Sequence, residues 1–132
     1  MPRIAHAVLD SAAGYATAVR AGRHQLNADE PASRGGTDTG PSPYELLLAG
    51  LGACTAITLR MYAERKGWQL ETIHVDLELH KDDEGDTGRI ARVVSFSAPL
   101  QPEHKARLAE IAEKTPVTRT IKAGAVIDTT FR

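Results

Sequence analysis

The sequence predicts a single α+β domain over residues 1–132, with antiparallel sheets packed on one long central helix. Three observations predict it. A stretch without charge, residues 46–59, follows a sharp helix start at Ser42-Pro43. Residues 72–81 and 90–98 alternate apolar and polar side chains on either side of a polar loop. Strand-like segments also come in consecutive runs, giving the order βββαββααβ and favouring antiparallel pairing. The length fits one domain, and no internal repeat marks a second.

Residues 4–28 read as a small antiparallel meander. Runs at 4–9 and 15–19 are separated by Asp10-Ser11-Ala12-Ala13-Gly14, a turn composition, and Arg20-Ala21-Gly22-Arg23 reads as a tight hairpin turn with Gly22 at positive φ. Residues 29–41 show no periodicity and carry Arg34-Gly35-Gly36-Thr37-Asp38-Thr39-Gly40, either a connecting loop or a flap over the helix start. The glycine-and-lysine spacing of a phosphate loop is absent.

The central helix has Ser42 as N-cap, Pro43 at its first position and Glu45 where a capping box places its acid. It should stop at Gly67 after a basic last turn, about 35 Å long at 1.5 Å per residue. Its leucines point all round, so it must be covered on every side. Small residues at Ala49, Gly52, Ala53 and Ala56 leave one side nearly flat, and the sequence therefore predicts that two copies of this helix pack about a two-fold axis.

Ile73, Val75, Leu77 and Leu79 form the buried face of the next strand, against His74, Asp76, Glu78 and His80. After the loop 82–88 the partner strand returns with Ile90, Val94, Phe96 and Ala98 inward. Pro102 opens a second helix to Lys114, Thr115-Pro116 opens a short third one through Ile121, and residues 125–131 close the chain as a last strand.

Charge excludes some function classes. Sixteen Lys and Arg against 17 Asp and Glu give a net charge of -1, with no basic run for nucleic acid or anionic membrane. The start lacks a signal-peptide core, and the uncharged part of the helix is shorter than the about 20 apolar residues of a membrane span, so a cytoplasmic protein is expected. One cysteine, Cys54, excludes an intrachain disulfide.

Cys54 is read either as a small core hydrophobe or as a nucleophile. It lies mid-helix, beyond reach of its own helix's N-terminal dipole, so a reactive thiolate there needs a cationic donor from elsewhere. Glu45 and Thr115 are each explained by capping alone. His74, Asp76, Glu78 and His80 share a strand face, but alternation turns it to solvent, and no metal or cofactor is expected. Serine-hydrolase and dinucleotide motifs are absent.

The run Pro41-Ser42-Pro43-Tyr44-Glu45-Leu46-Leu47-Leu48-Ala49-Gly50-Leu51-Gly52-Ala53-Cys54-Thr55, followed by Thr58-Leu59-Arg60-Met61-Tyr62-Ala63, closely resembles the OsmC/Ohr family of osmotically induced and organic hydroperoxide resistance proteins. Ala28-Asp29-Glu30-Pro31, Gly35-Gly36, Asp38-Thr39-Gly40 and Thr115-Pro116-Val117-Thr118-Arg119-Thr120 resemble its YhfA-like branch. The resemblance implies an OsmC-like fold in an intertwined homodimer, its two long helices back to back. It implies a thiol-dependent peroxidase nucleophile at Cys54, attacking the peroxide O–O bond to give a sulfenic acid. The family's resolving cysteine falls at Thr115, so two-cysteine turnover is excluded and an external thiol must resolve Cys54. The first-strand arginine of the hydroperoxide branch has no counterpart in residues 10–14, and its glutamate partner falls at Tyr44, one residue before Glu45. Arg20, Arg23 and Arg119 are candidate activating donors, with Glu45 as an accessory acid. The expected function is a thiol redox protein of oxidative-stress defence acting on a small organic peroxide. The alternative is a non-catalytic dimer that binds a small apolar ligand.

Overall fold

The computed structural model describes residues 1–82 and 84–132; the expected hairpin loop 82–88 includes Asp83, which lies outside the described residues. The chain divides into two compact units, residues 1–47 and 48–132.

The first unit is the expected meander. Strands β1 (Ala7–Asp10), β2 (Thr17–Ala21) and β3 (His24–Ala28) form an antiparallel sheet in that order. The β2–β3 turn has two residues, and Gly22 takes the φ of +61° that its first position requires. Leu9, Val19 and Leu26 lie in register on one face, and Val19 is buried.

The loop that follows contains a 3-10 turn, Ala32–Arg34, and is braced by Asp29. This buried carboxylate accepts hydrogen bonds from the Thr37 hydroxyl at 2.7 Å, the Thr39 hydroxyl at 2.8 Å, the Thr39 N–H at 3.1 Å and the Glu30 N–H at 2.7 Å. Two glycines let the backbone fold this closely. A Cβ at Gly36 would stand 1.9 Å from the Glu30 carbonyl oxygen, and one at Gly40 2.0 Å from that of Asn27.

Helix α1 (Pro43–Lys66) begins with the capping box read from the sequence. The Ser42 N–H donates to Glu45 Oε1 at 2.8 Å, and the Glu45 N–H donates to Ser42 Oγ at 3.3 Å. It ends in a Schellman turn: Gly67 has φ +73°, its N–H donates to the Glu64 carbonyl, and the Trp68 N–H donates to that of Ala63. By length and composition alone α1 could cross a membrane. Leu51, Thr55, Leu59 and Ala63 recur every fourth residue as its buried stripe, however, which is what a core helix does.

The second unit adds the hairpin β4 (Ile73–Lys81) and β5 (Gly88–Phe96), then α2 (Pro102–Ala112) and α3 (Pro116–Ala123). Both strands alternate half-buried and exposed residues as predicted, with Val75 opposite Val94 and Leu77 opposite Arg92. The core gathers Leu59 and Ala63 of α1, Leu70, and Leu108 and Ala112 of α2, with Ile73, Val94, Phe96 and Trp68 packed against it. Trp68 stacks on His104 with ring centroids 3.9 Å apart.

One predicted element does not form. Residues 125–131 carry no strand, and Val126, Ile127 and Phe131 are exposed. Alternation fits a segment to a sheet, but a strand also needs an edge to pair with, and this segment pairs with none among the described residues. The observed order is therefore βββαββαα.

Candidate functional site

Cys54 follows from the stripe on α1. At about 100° per residue the buried stripe turns toward the core, while Gly50, Ala53, Ile57 and Met61 fall on the far side and lie outside the set of buried residues. Cys54 lies at the boundary between these faces. It is a free, half-buried thiol whose Sγ is 3.9 Å from the Thr58 hydroxyl, one turn on. A thiol and a hydroxyl at that distance make only a weak contact.

A second constellation was not read from the sequence. Arg92 sits on the inner face of β5, its side chain only 12 % exposed. Its Nη1 donates to Thr55 Oγ1 at 2.9 Å and to Thr118 Oγ1 at 3.0 Å, and its Nη2 donates to the Ala112 carbonyl at 3.0 Å. One guanidinium thus ties β5 to α1, to the end of α2 and to α3. Thr115, fully buried, caps α3 and places its hydroxyl 2.6 Å from that of Thr118. The position at which the resemblance puts a second thiol therefore holds a hydroxyl already engaged in this network. The signal was available: counting by twos from Ile90 to Phe96 places Arg92 inward, and only its charge argued otherwise.

The other predicted residues are dispersed. Glu45 belongs to the first turn of α1, where Ser42 holds its carboxyl below the usual range, first through the backbone N–H and then the hydroxyl. Arg119 is on α3, exposed, its backbone N–H donating to Thr115 and its side chain making no hydrogen bond to Cys54. Arg20 and Arg23 are exposed in the first unit, in β2 and in the β2–β3 turn. His74, Asp76, Glu78 and His80 face solvent, with His80 Nε2 and Glu78 Oε2 3.0 Å apart. Among the described residues no group of His, Cys, Asp and Glu is arranged to hold a metal ion.

Among the described residues, two antiparallel sheets and three α-helices, with one thiol on the longest helix, define the fold class as α+β. The sequence pattern of the OsmC-like protein family matches residues 36–130, and the chain belongs to that family. The match does not distinguish branches within it. Solved structures agree on the fold. An OsmC-like protein from Mycoplasma pneumoniae has a TM-score of 0.74 at 18% identity, over 92% of this chain and 88% of that one. An organic hydroperoxide resistance protein OsmC from Legionella pneumophila has a TM-score of 0.69 at 22% identity, over 91% and 90%. The organic hydroperoxide resistance protein OhrB of Bacillus subtilis has a TM-score of 0.64 at 23% identity, over 91% of each chain. No curated protein matches the chain in sequence.

Proposed function

We propose that this protein is a one-cysteine, thiol-dependent reductase of small organic hydroperoxides in oxidative-stress defence. The reading is supported by family membership. The observation that carries it is the position of the chain's only thiol, free and half-buried at the boundary of the long helix. In the first step the Cys54 thiolate attacks the outer peroxide oxygen. The O–O bond breaks, sulfur is oxidised to the sulfenic acid, and the alkoxide takes a proton and leaves as alcohol. An external thiol then displaces water to form a mixed disulfide, and a second external thiol frees Cys54 and leaves as the oxidised disulfide. The buried hydroxyl of Thr115 cannot take that resolving role, so the reductant comes from outside the chain.

The protein acts in this reading as a cytoplasmic homodimer. The support is the apolar far side of α1, where Ile57 is 59% and Met61 49% exposed in the single chain; of the small residues read as the pairing side, Ala53 lies on this face, whereas Gly52 packs against Leu77 of β4. A second copy of the same helix is self-complementary to that face. Arg20, Arg23 and Arg119 remain the cations that a second copy could bring to the thiol.

The test mixes the protein with cumene hydroperoxide and dithiothreitol, follows peroxide loss, and traps the sulfenic acid with dimedone. Wild type is expected to consume peroxide and carry one adduct at Cys54, and Cys54→Ser to do neither. Equal peroxide loss by both proteins, with no adduct, removes the redox reading. It would leave the non-catalytic one, which has its own support in a cavity of about 240 Å³ between β5 and α2, walled by Leu59, Val94, Phe96 and Leu108.

A further inference from the structure

The Arg92 network opens on a second cleft, of about 510 Å³, within the range of about 300–1,000 Å³ that small-molecule sites occupy. Leu51 of α1, Ile90 of β5 and Ile121 of α3 supply apolar wall, while Arg92 and Lys122 supply two cations. Between those cations stands one carboxylate of the chain itself. Glu113 Oε2 is 2.6 Å from Lys122 Nζ, and Glu113 Oε1 is 3.7 Å from Arg92 Nη2. The guanidinium gives three of its five N–H groups to Thr55, Thr118 and the Ala112 carbonyl, so the surrounding fold fixes it in place with N–H groups left for a ligand. Glu113 is different: it follows the last residue of α2, its side chain is 60% exposed, and it can rotate into solvent.

We propose that this cleft binds a carboxylate with an apolar body, such as a medium-chain acid, and that Glu113 occupies the carboxylate position when the ligand is absent. The chemistry is the same in both states: one carboxylate shared by a fixed arginine and a mobile lysine. The apolar body covers Leu51, Ile90 and Ile121, and Glu113 swings out. The second unit alone supplies every group, and the site neither includes Cys54 nor rests on the redox reading.

The test is calorimetric titration of the full chain with decanoate, with decanol as the uncharged control of equal length. Decanoate is expected to bind at least tenfold tighter than decanol, as a buried guanidinium bond to a charged group implies. Glu113→Gln removes the internal competitor and is expected to bind decanoate about two- to fivefold tighter. Lys122→Met is expected to bind it about two- to fivefold weaker, the range of an exposed ion pair. Both substitutions are on exposed side chains, and circular dichroism checks that the fold is unchanged. Decanol binding as tightly as decanoate overturns the proposal. So does a Glu113→Gln protein that binds no tighter than the parent, or a Lys122→Met protein with full affinity.

Discussion

Asp29 is buried, and its carboxylate accepts from the Thr37 and Thr39 hydroxyls and from the Glu30 and Thr39 N–H groups. The Thr37 hydroxyl, then the Thr39 N–H, hold its carboxyl well below the ordinary value of 3.8. A depressed carboxyl contributes stability that is present above its unfolded pKa and lost as pH falls through the folded one. The stability of the wild-type protein should therefore fall as pH drops below about 4, and Asp29→Asn should lack that part of the slope. Urea midpoints measured from pH 6 to pH 2.5 check this; parallel curves for the two proteins would contradict it. None of this was legible in the sequence, because Asp29 reaches threonines eight and ten positions ahead through a loop with no period. Arg92 is the opposite case, since its side could be read by parity. Its loss should be costly: Arg92→Met removes the guanidinium's hydrogen bonds to Thr55, Thr118 and the Ala112 carbonyl from a buried site built for a cation. We expect about 3 kcal/mol of destabilisation, read as a lower denaturation midpoint with an unchanged slope.

At the scale of elements, what the sequence made legible was whatever depends on neighbours along the chain. The capping box of α1, its glycine stop, the β4–β5 alternation and the Thr115 cap are all local, and all formed as read. What failed depended on a distant partner. Residues 125–131 have strand-like alternation but no edge, and the 29–41 loop holds its shape through contacts that no pattern announces. Gly36 and Gly40 show how tight those contacts are. Both read as ordinary loop glycines, yet each lies where a Cβ would run into backbone rather than into the tip of a flexible side chain. Backbone must move to admit it, which costs about 1–3 kcal/mol. Gly40→Ala is expected to lower the melting temperature by several degrees, whereas Gly14→Ser, whose Cβ meets nothing within 4 Å, carries only the strain of its positive φ. Thermal melts of the two variants separate close approach from backbone strain; a larger loss for the Gly14 variant would reverse that assignment.

The whole molecule turns on the unburied side of α1. Exposed singly, Ile57 or Met61 would need no explanation, but together with Gly50 and Ala53 they form an apolar face, and the one charge in that run, Arg60, is turned to the Glu71 carbonyl. Small residues let a second helix approach closely, and the larger ones at its ends then supply the buried area. The closing segment is also left without an edge to pair with, and Val126, Ile127 and Phe131 are exposed with it. A second chain accounts for both exposures, so the pairing predicted from the helix draws a second argument from the tail. The chain mass is 14.2 kDa, so sedimentation at micromolar concentration should return twice that value. Ile57→Lys should return the single-chain mass, because two like charges would face each other across the two-fold axis. If cations from the second copy activate the thiol, the same variant should also consume cumene hydroperoxide more slowly while keeping Cys54. A monomeric Ile57→Lys protein with full peroxidase activity would keep the dimer and discard its role at the thiol, while a monomeric wild type would discard both.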